Sequence, residues 1–372
     1  MSKDRLLFID NLRILLIVLV VLHHLAITYG APGSWYYKEG EPDMIETILF
    51  SLFAAINQAF FMGFFFMISG YFTPGSYDKK GAWQFFKDRS LRLGIPLLFY
   101  IIFIDPLINY VLALSKGFTG SFQYFIGLYI SNYKGLGSGP LWFLEALLIF
   151  AGAYILWRLL VKDKYGERII PGNTTIAIFA IILGIITFIV RIWLPIGWNF
   201  ELLNLQIPFF PQYIAMFIIG LIAYRGNWFL QISQKKGEFW SKTTLVSIMF
   251  LPILFVSGAP EGDPSAFLGG LHWQAFAYAL WEQILCAAII ITLLVFFREN
   301  YNNQGRLLKA MSASAYTVYI FHAPVIVLLA LSFRGVIMDP LLKFVLVAPL
   351  AVGLCFLFSD YIRKLPIARS IL

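Results

Sequence analysis

The chain has 372 residues, 60% of them hydrophobic and 13% charged, with a mean hydropathy of +0.78. Soluble domains carry roughly 25% charged residues, so this composition excludes an ordinary soluble enzyme, and the lack of alternating ten-residue segments excludes a membrane β-barrel. The net charge of +8 follows a topological pattern described below and argues for no nucleic-acid partner.

The hydropathy pattern predicts an all-α, polytopic membrane protein. Ten spans are expected, at about 10–30, 46–72, 93–114, 140–161, 174–195, 205–224, 242–257, 272–297, 312–333 and 340–361. With the N-terminus inside, 21 of the 28 Lys and Arg residues fall on inner segments and six on outer ones, Arg13 lying within the first span. The bias alternates through all ten spans, so both termini are expected on the cytoplasmic side of a cytoplasmic membrane. The first apolar run continues as a full span with no small-residue cleavage site. One transmembrane domain over residues 1–372 and no soluble domain are expected. Cys286 and Cys355 lie in apolar runs, so neither a disulfide nor a metal site is expected.

The first span places Asp10, Asn11 and Arg13 at one end and His23 and His24 near the other. Eleven residues separate Arg13 from His24, so on a helix they lie within about 20° of one face, roughly 16 Å apart along the axis. They can line one pathway at two depths. A snorkelling arginine and a hydrated histidine pair are the plainer reading.

The following outer loop, Ala31 to Met44, carries Trp35, Tyr36, Tyr37, Glu39, Glu41 and Asp43. Two readings fit, an aromatic interface belt and a platform for a sugar. The second span closes on FFMGFFFMISGYFTP, where Ser69, Gly70 and Pro74 suit close helix packing or an unwound turn beside a ligand. In the next inner segment Arg89 and Arg92 stand at i, i+3, which on an α-helix gives them one face able to hold a phosphate. Anchoring by inner basic residues alone also predicts positive charge here.

Between Lys116 and Gly139 a short interfacial or re-entrant segment is expected. Glu145 should lie one turn below the outer surface, at the depth of His24. Further polar groups within spans are Asn57, Gln58, Asp105, Arg191, Glu282, Gln283 and His322, and the outer loop 258–271 holds Glu261 and Asp263. Such groups on several helices suggest one wet cavity. A histidine to take a proton, an acid to orient it and cations for developing negative charge are the parts of acyl transfer.

Five patterns in chain order then resemble one family. They are R-x10-H from Arg13 to His24, FFFMISGYFTP, FKDRSLRLGIP, PLWFLEALL and YIFHAPV. Together they resemble the acyltransferase-3 family of membrane acyltransferases, and most closely the branch containing a glucan succinyltransferase. The resemblance implies ten core helices, a cytoplasmic acyl-CoA donor (acetyl-CoA or succinyl-CoA) and an acceptor hydroxyl on a cell-envelope carbohydrate. It makes His24 the essential histidine, acting as general base or as a transient acyl-histidine. Arg13 becomes its companion arginine, and Arg89 and Arg92 the donor-phosphate pair. Glu145 and His322 are candidates to orient His24 or stabilise an oxyanion. Some members carry a further soluble domain, which is not expected here. The rival reading is a transporter or flippase of an envelope intermediate, without covalent chemistry.

Overall fold

The computed structural model describes residues 5–132, 135–161, 168–258 and 264–371. Lys3, Lys134, Lys162, Lys164, Glu261 and Asp263, used in the charge count or the loop reading, lie outside the described residues.

Among the described residues, nine helices are long and apolar enough to cross a membrane. One of them, Met44–Ser115, is 72 residues long and holds the second and third expected spans. The chain reverses within it at Gly81, whose φ of 74° and ψ of 171° suit glycine alone. The main helices are α1 (Leu7–Thr28), α2 (Met44–Arg89), α3 (Asp105–Ser115), α4 (Phe122–Ser131), α5 (Trp142–Leu160), α6 (Asn173–Trp193), α7 (Phe210–Gly226), α8 (Gln234–Gly258), α9 (Trp273–Asn300), α10 (Arg306–Ser332) and α11 (Pro340–Ile362). The seventh expected span is longer than its apolar stretch suggests, because α8 starts at Gln234 with polar residues.

Apolar side chains cover these helices all round, and exposed Leu, Ile and Phe line their outward faces, as lipid contact requires. Polar ends are fixed individually. Asp43 and Glu46 form a reciprocal capping box that starts α2. The short α4 is capped by Ser121 and has no buried residue, so it lies on the surface and does not enter the bundle. A helix of ten residues spans about 15 Å, half a bilayer core.

α2 crosses α7 at backbone contact. A Cβ on Gly70 would stand 2.2 Å from the Phe217 carbonyl, and one on Gly220 would stand 2.2 Å from that of Met67. The small residues closing the second span therefore serve packing. Gly70→Val or Gly220→Val should cost about 3 kcal/mol or more, the upper end of overpacking. Thermal unfolding in detergent checks this against Gly353→Ala, which meets nothing within 4 Å; equal melting temperatures for the three would contradict the close crossing.

Candidate active site

α1 is fastened near its start. The Asp10 carboxylate accepts from Arg5 at 2.5 Å and from Arg13 at 3.2 Å. Asn11 donates to the carbonyls of Tyr301 and Asn303 at 2.7 and 2.9 Å and accepts from Gln304. The Arg13 guanidinium also lies over Phe72, 4.9 Å from the ring centre.

Three turns further along, His24 meets His322 of α10. His24 Nδ1 and His322 Nε2 are 3.1 Å apart, and His322 Nδ1 is 2.7 Å from the Tyr319 carbonyl. His322 is fully buried. A carbonyl oxygen only accepts, so His322 Nδ1 carries the proton, and in the neutral ring Nε2 is then an acceptor. His24 Nδ1–H must donate to it, which leaves His24 Nε2 with a free lone pair. The arrangement sets the tautomers of both rings and makes Nε2 the basic nitrogen.

The outer loop closes over this pair. The Trp35 ring lies flat on His24, with centroids 4.0 Å apart and planes 14° apart. Next to it, the Tyr36 hydroxyl donates to Asp105 and lies 3.1 Å from the Tyr100 hydroxyl. Burial, with Tyr100 and Asp105 facing it, holds the Tyr36 phenol well above its ordinary range, so it remains a donor. Asp105 also accepts from Tyr129 of α4 and from Asn109. Glu39 pairs with Lys343 of α11 at 2.6 Å. The loop is thus a strap stitched to α3 and α11.

Glu145 stands in the first turn of α5, 6% exposed. Neither of its oxygens makes a hydrogen bond of good geometry, although the buried Ser138 hydroxyl lies beside it. Tyr319 donates to the Pro140 carbonyl and so ties the loop before α5 to the histidine pair. Among the described residues no hydrogen bond joins Glu145 to His24 or His322.

At the other end, Arg89 stacks on Phe85, 5.1 Å from its ring centre, and feels the charges of Arg92 and Arg13. Among the described residues neither Arg89 nor Arg92 forms an ion pair. The backbone over Ser90–Gly94 is wound as a π-helix, and the Tyr316 hydroxyl holds the Arg92 carbonyl there. A π turn holds more residues than an α turn, so the i, i+3 pair is splayed further around the axis than α geometry predicts. Arg89 is half-buried and Arg92 is exposed.

Several of the polar groups within the spans pair with one another or with backbone between helices. Arg191 and Glu282 pair with each other at 2.7 Å, 0% and 1% exposed. Gln212 bonds the Ala59 carbonyl and Gln283, Gln58 donates to Tyr213, and Asn57 donates to the Leu19 carbonyl. These are ties between helices. Sequence reasoning also missed a cavity of about 720 Å³, lined by Asp78, Arg158 and Arg225 among others. Its charged residues come from α2, α5 and α7, so no local pattern marks it.

A family model described as an acyltransferase domain matches residues 6–360. Proteins named glucans biosynthesis protein C, from Shigella dysenteriae serotype 1 (strain Sd197), Escherichia coli (strain SMS-3-5 / SECEC) and Escherichia coli O1:K1 / APEC, are each 26% identical over 238 residues. The similarity covers 58% of this chain and 57% of each relative, so the chain spans little more than half the length of these curated relatives. No solved structure matches it.

Proposed function

Because the chain belongs to the acyltransferase-3 family, matched over residues 6–360, we propose that it is a membrane-embedded O-acyltransferase. It moves an acyl group, acetyl or succinyl, from acyl-CoA to a hydroxyl of a cell-envelope carbohydrate. The name shared by the relatives supports a glucan as acceptor class. The charge bias of the segments supports a cytoplasmic membrane with both termini inside.

The observation that carries the reading is the chain from the Tyr319 carbonyl through His322 to His24, which leaves His24 Nε2 basic at the end of α1 remote from the arginines. Arg89 and Arg92 hold the phosphates of CoA, and Arg13 steadies the donor between them and the reaction centre. The pantetheine arm covers the roughly 16 Å rise from Arg13 to His24. His24 takes the proton of the acceptor hydroxyl as its oxygen attacks the thioester carbonyl. The tetrahedral adduct expels the CoA sulfur, and the proton passes from His24 to the thiolate. His322 orients His24 and shares the charge it gains. A carboxylate repels an oxyanion and accepts from a hydroxyl, so Glu145 is assigned to holding the acceptor.

Purified protein given labelled acyl-CoA should release CoA only when a glucan oligosaccharide is present. Arg89→Ala with Arg92→Ala should raise the donor KM by about 10- to 100-fold, the loss of one or two charge-assisted hydrogen bonds, and leave the acceptor KM within about twofold. Equal effects on both substrates would remove the donor assignment. Glucan movement without CoA release would favour a transporter.

A further inference from the structure

One group against His24 has no part in the reaction as written. The Trp35 indole covers one face of that imidazole at 4.0 Å and lies 6.1 Å from the His322 ring. Its Nε1 is sealed from solvent and has no hydrogen-bond partner. An indole nitrogen only donates, and buried donors are nearly always paired, so an orphan at this place calls for a function.

The loop that carries the orphan is anchored on both sides of it. Ala31 N–H bonds the Ala26 carbonyl at 2.9 Å, just after α1. Tyr36 is held by Asp105 and Tyr100, and Gly139 has no side chain because a Cβ there would stand 2.2 Å from the Tyr36 oxygen. Glu39 is held by Lys343. The strap fixes the indole between anchors on both sides, stacked on the ring that carries the basic nitrogen.

Acyl transfer needs a fixed donor beside the base. As the hydroxyl oxygen bonds to the thioester carbon, the carbonyl π pair moves to oxygen, and the hydroxyl proton goes to His24 Nε2. That oxygen then holds a full negative charge until the pair returns and the C–S bond breaks. A preorganised N–H in a water-poor site stabilises this charge and costs no reorganisation. We propose that Trp35 Nε1–H is the oxyanion donor of this site, with its ring also fixing the plane of His24. This rests on the acyl-transfer reading above.

Trp35→Phe keeps a smaller aromatic ring over His24 and removes the N–H, and the analogue comparison below separates the lost donor from the lost ring area. The expected result is a fall in kcat of about 100-fold, within the range for loss of one oxyanion donor, with both KM values within about threefold. Trp35→His, which retains a ring N–H, should recover part of the lost rate. A tetrahedral phosphonate analogue of the adduct should bind Trp35→Phe about 100-fold more weakly than the parent, while a non-reactive thioether analogue of the donor binds both equally. A Trp35→Phe enzyme within threefold of the parent kcat overturns the proposal and leaves the base assignment standing. Activity in His24→Ala would instead remove the reading on which it rests. If neither variant of Trp35 folds, the residue is a packing element and the proposal fails.

Discussion

Replacing His24 with alanine should lower acceptor-dependent CoA release by about 10²–10⁴-fold, the contribution of a well-placed general base. No neighbour can take over. His322 Nδ1 is committed to the Tyr319 carbonyl, and its ring is fully buried. His23 points elsewhere, against Phe61 at 5.2 Å. His322→Ala should cost less, because His24 keeps its lone pair but loses the acceptor that sets its tautomer. The double variant should be scarcely worse than His24→Ala alone, since the two act as one unit. Turnover at saturating donor and acceptor is the measurement, with donor affinity and melting temperature in detergent as controls for folding. A His24→Ala enzyme that keeps a tenth of its turnover would contradict the assignment.

The largest loss of stability should come from Arg191→Met. Arg191 and Glu282 are fully buried, 2.7 Å apart, and link α6 to α9. Removing the guanidinium strands a carboxylate inside the bundle, at a cost of about 3–5 kcal/mol. That is a large part of the roughly 5–15 kcal/mol by which a folded domain exceeds its unfolded state. The melting temperature in detergent should fall by roughly 5–10 °C. Adding Glu282→Gln removes the stranded charge and should restore much of the loss. An unchanged melting temperature in the single variant would show that the pair does not hold these helices together.

What could be read along the chain divides by physical origin. Spans follow from hydropathy and sidedness from the Lys and Arg bias, because both are local properties of a segment in a bilayer. Arg13 and His24 are related by helix geometry alone, so their shared face was legible. His322 was a candidate to orient His24, and the two rings meet at 3.1 Å. Depth grouped Glu145 with His24, but depth carries no information about direction around a helix, and no hydrogen bond joins Glu145 to either ring among the described residues. Arg191 and Glu282 are 91 residues apart and meet only through packing. The π turn at Ser90–Gly94 was hidden because side-chain spacing does not report how the backbone is wound. Trp35 was visible as an aromatic in an outer loop, but its position on His24 depends on anchors from α1, α3 and α11.

α1 is tethered at both ends, by Asn11 to the 301–304 segment and by His24 to His322. It cannot slide, so on the proposed reading it works as a gauge of fixed length between Arg13 and His24. On that reading the reach of the donor is a constant, and the variable is how many carbons extend past the thioester. With Trp35 lying on His24, tolerance for longer acyl tails would then follow how tightly the strap is sewn down, and loosening Tyr36 or Glu39 would be the route to a broader donor range.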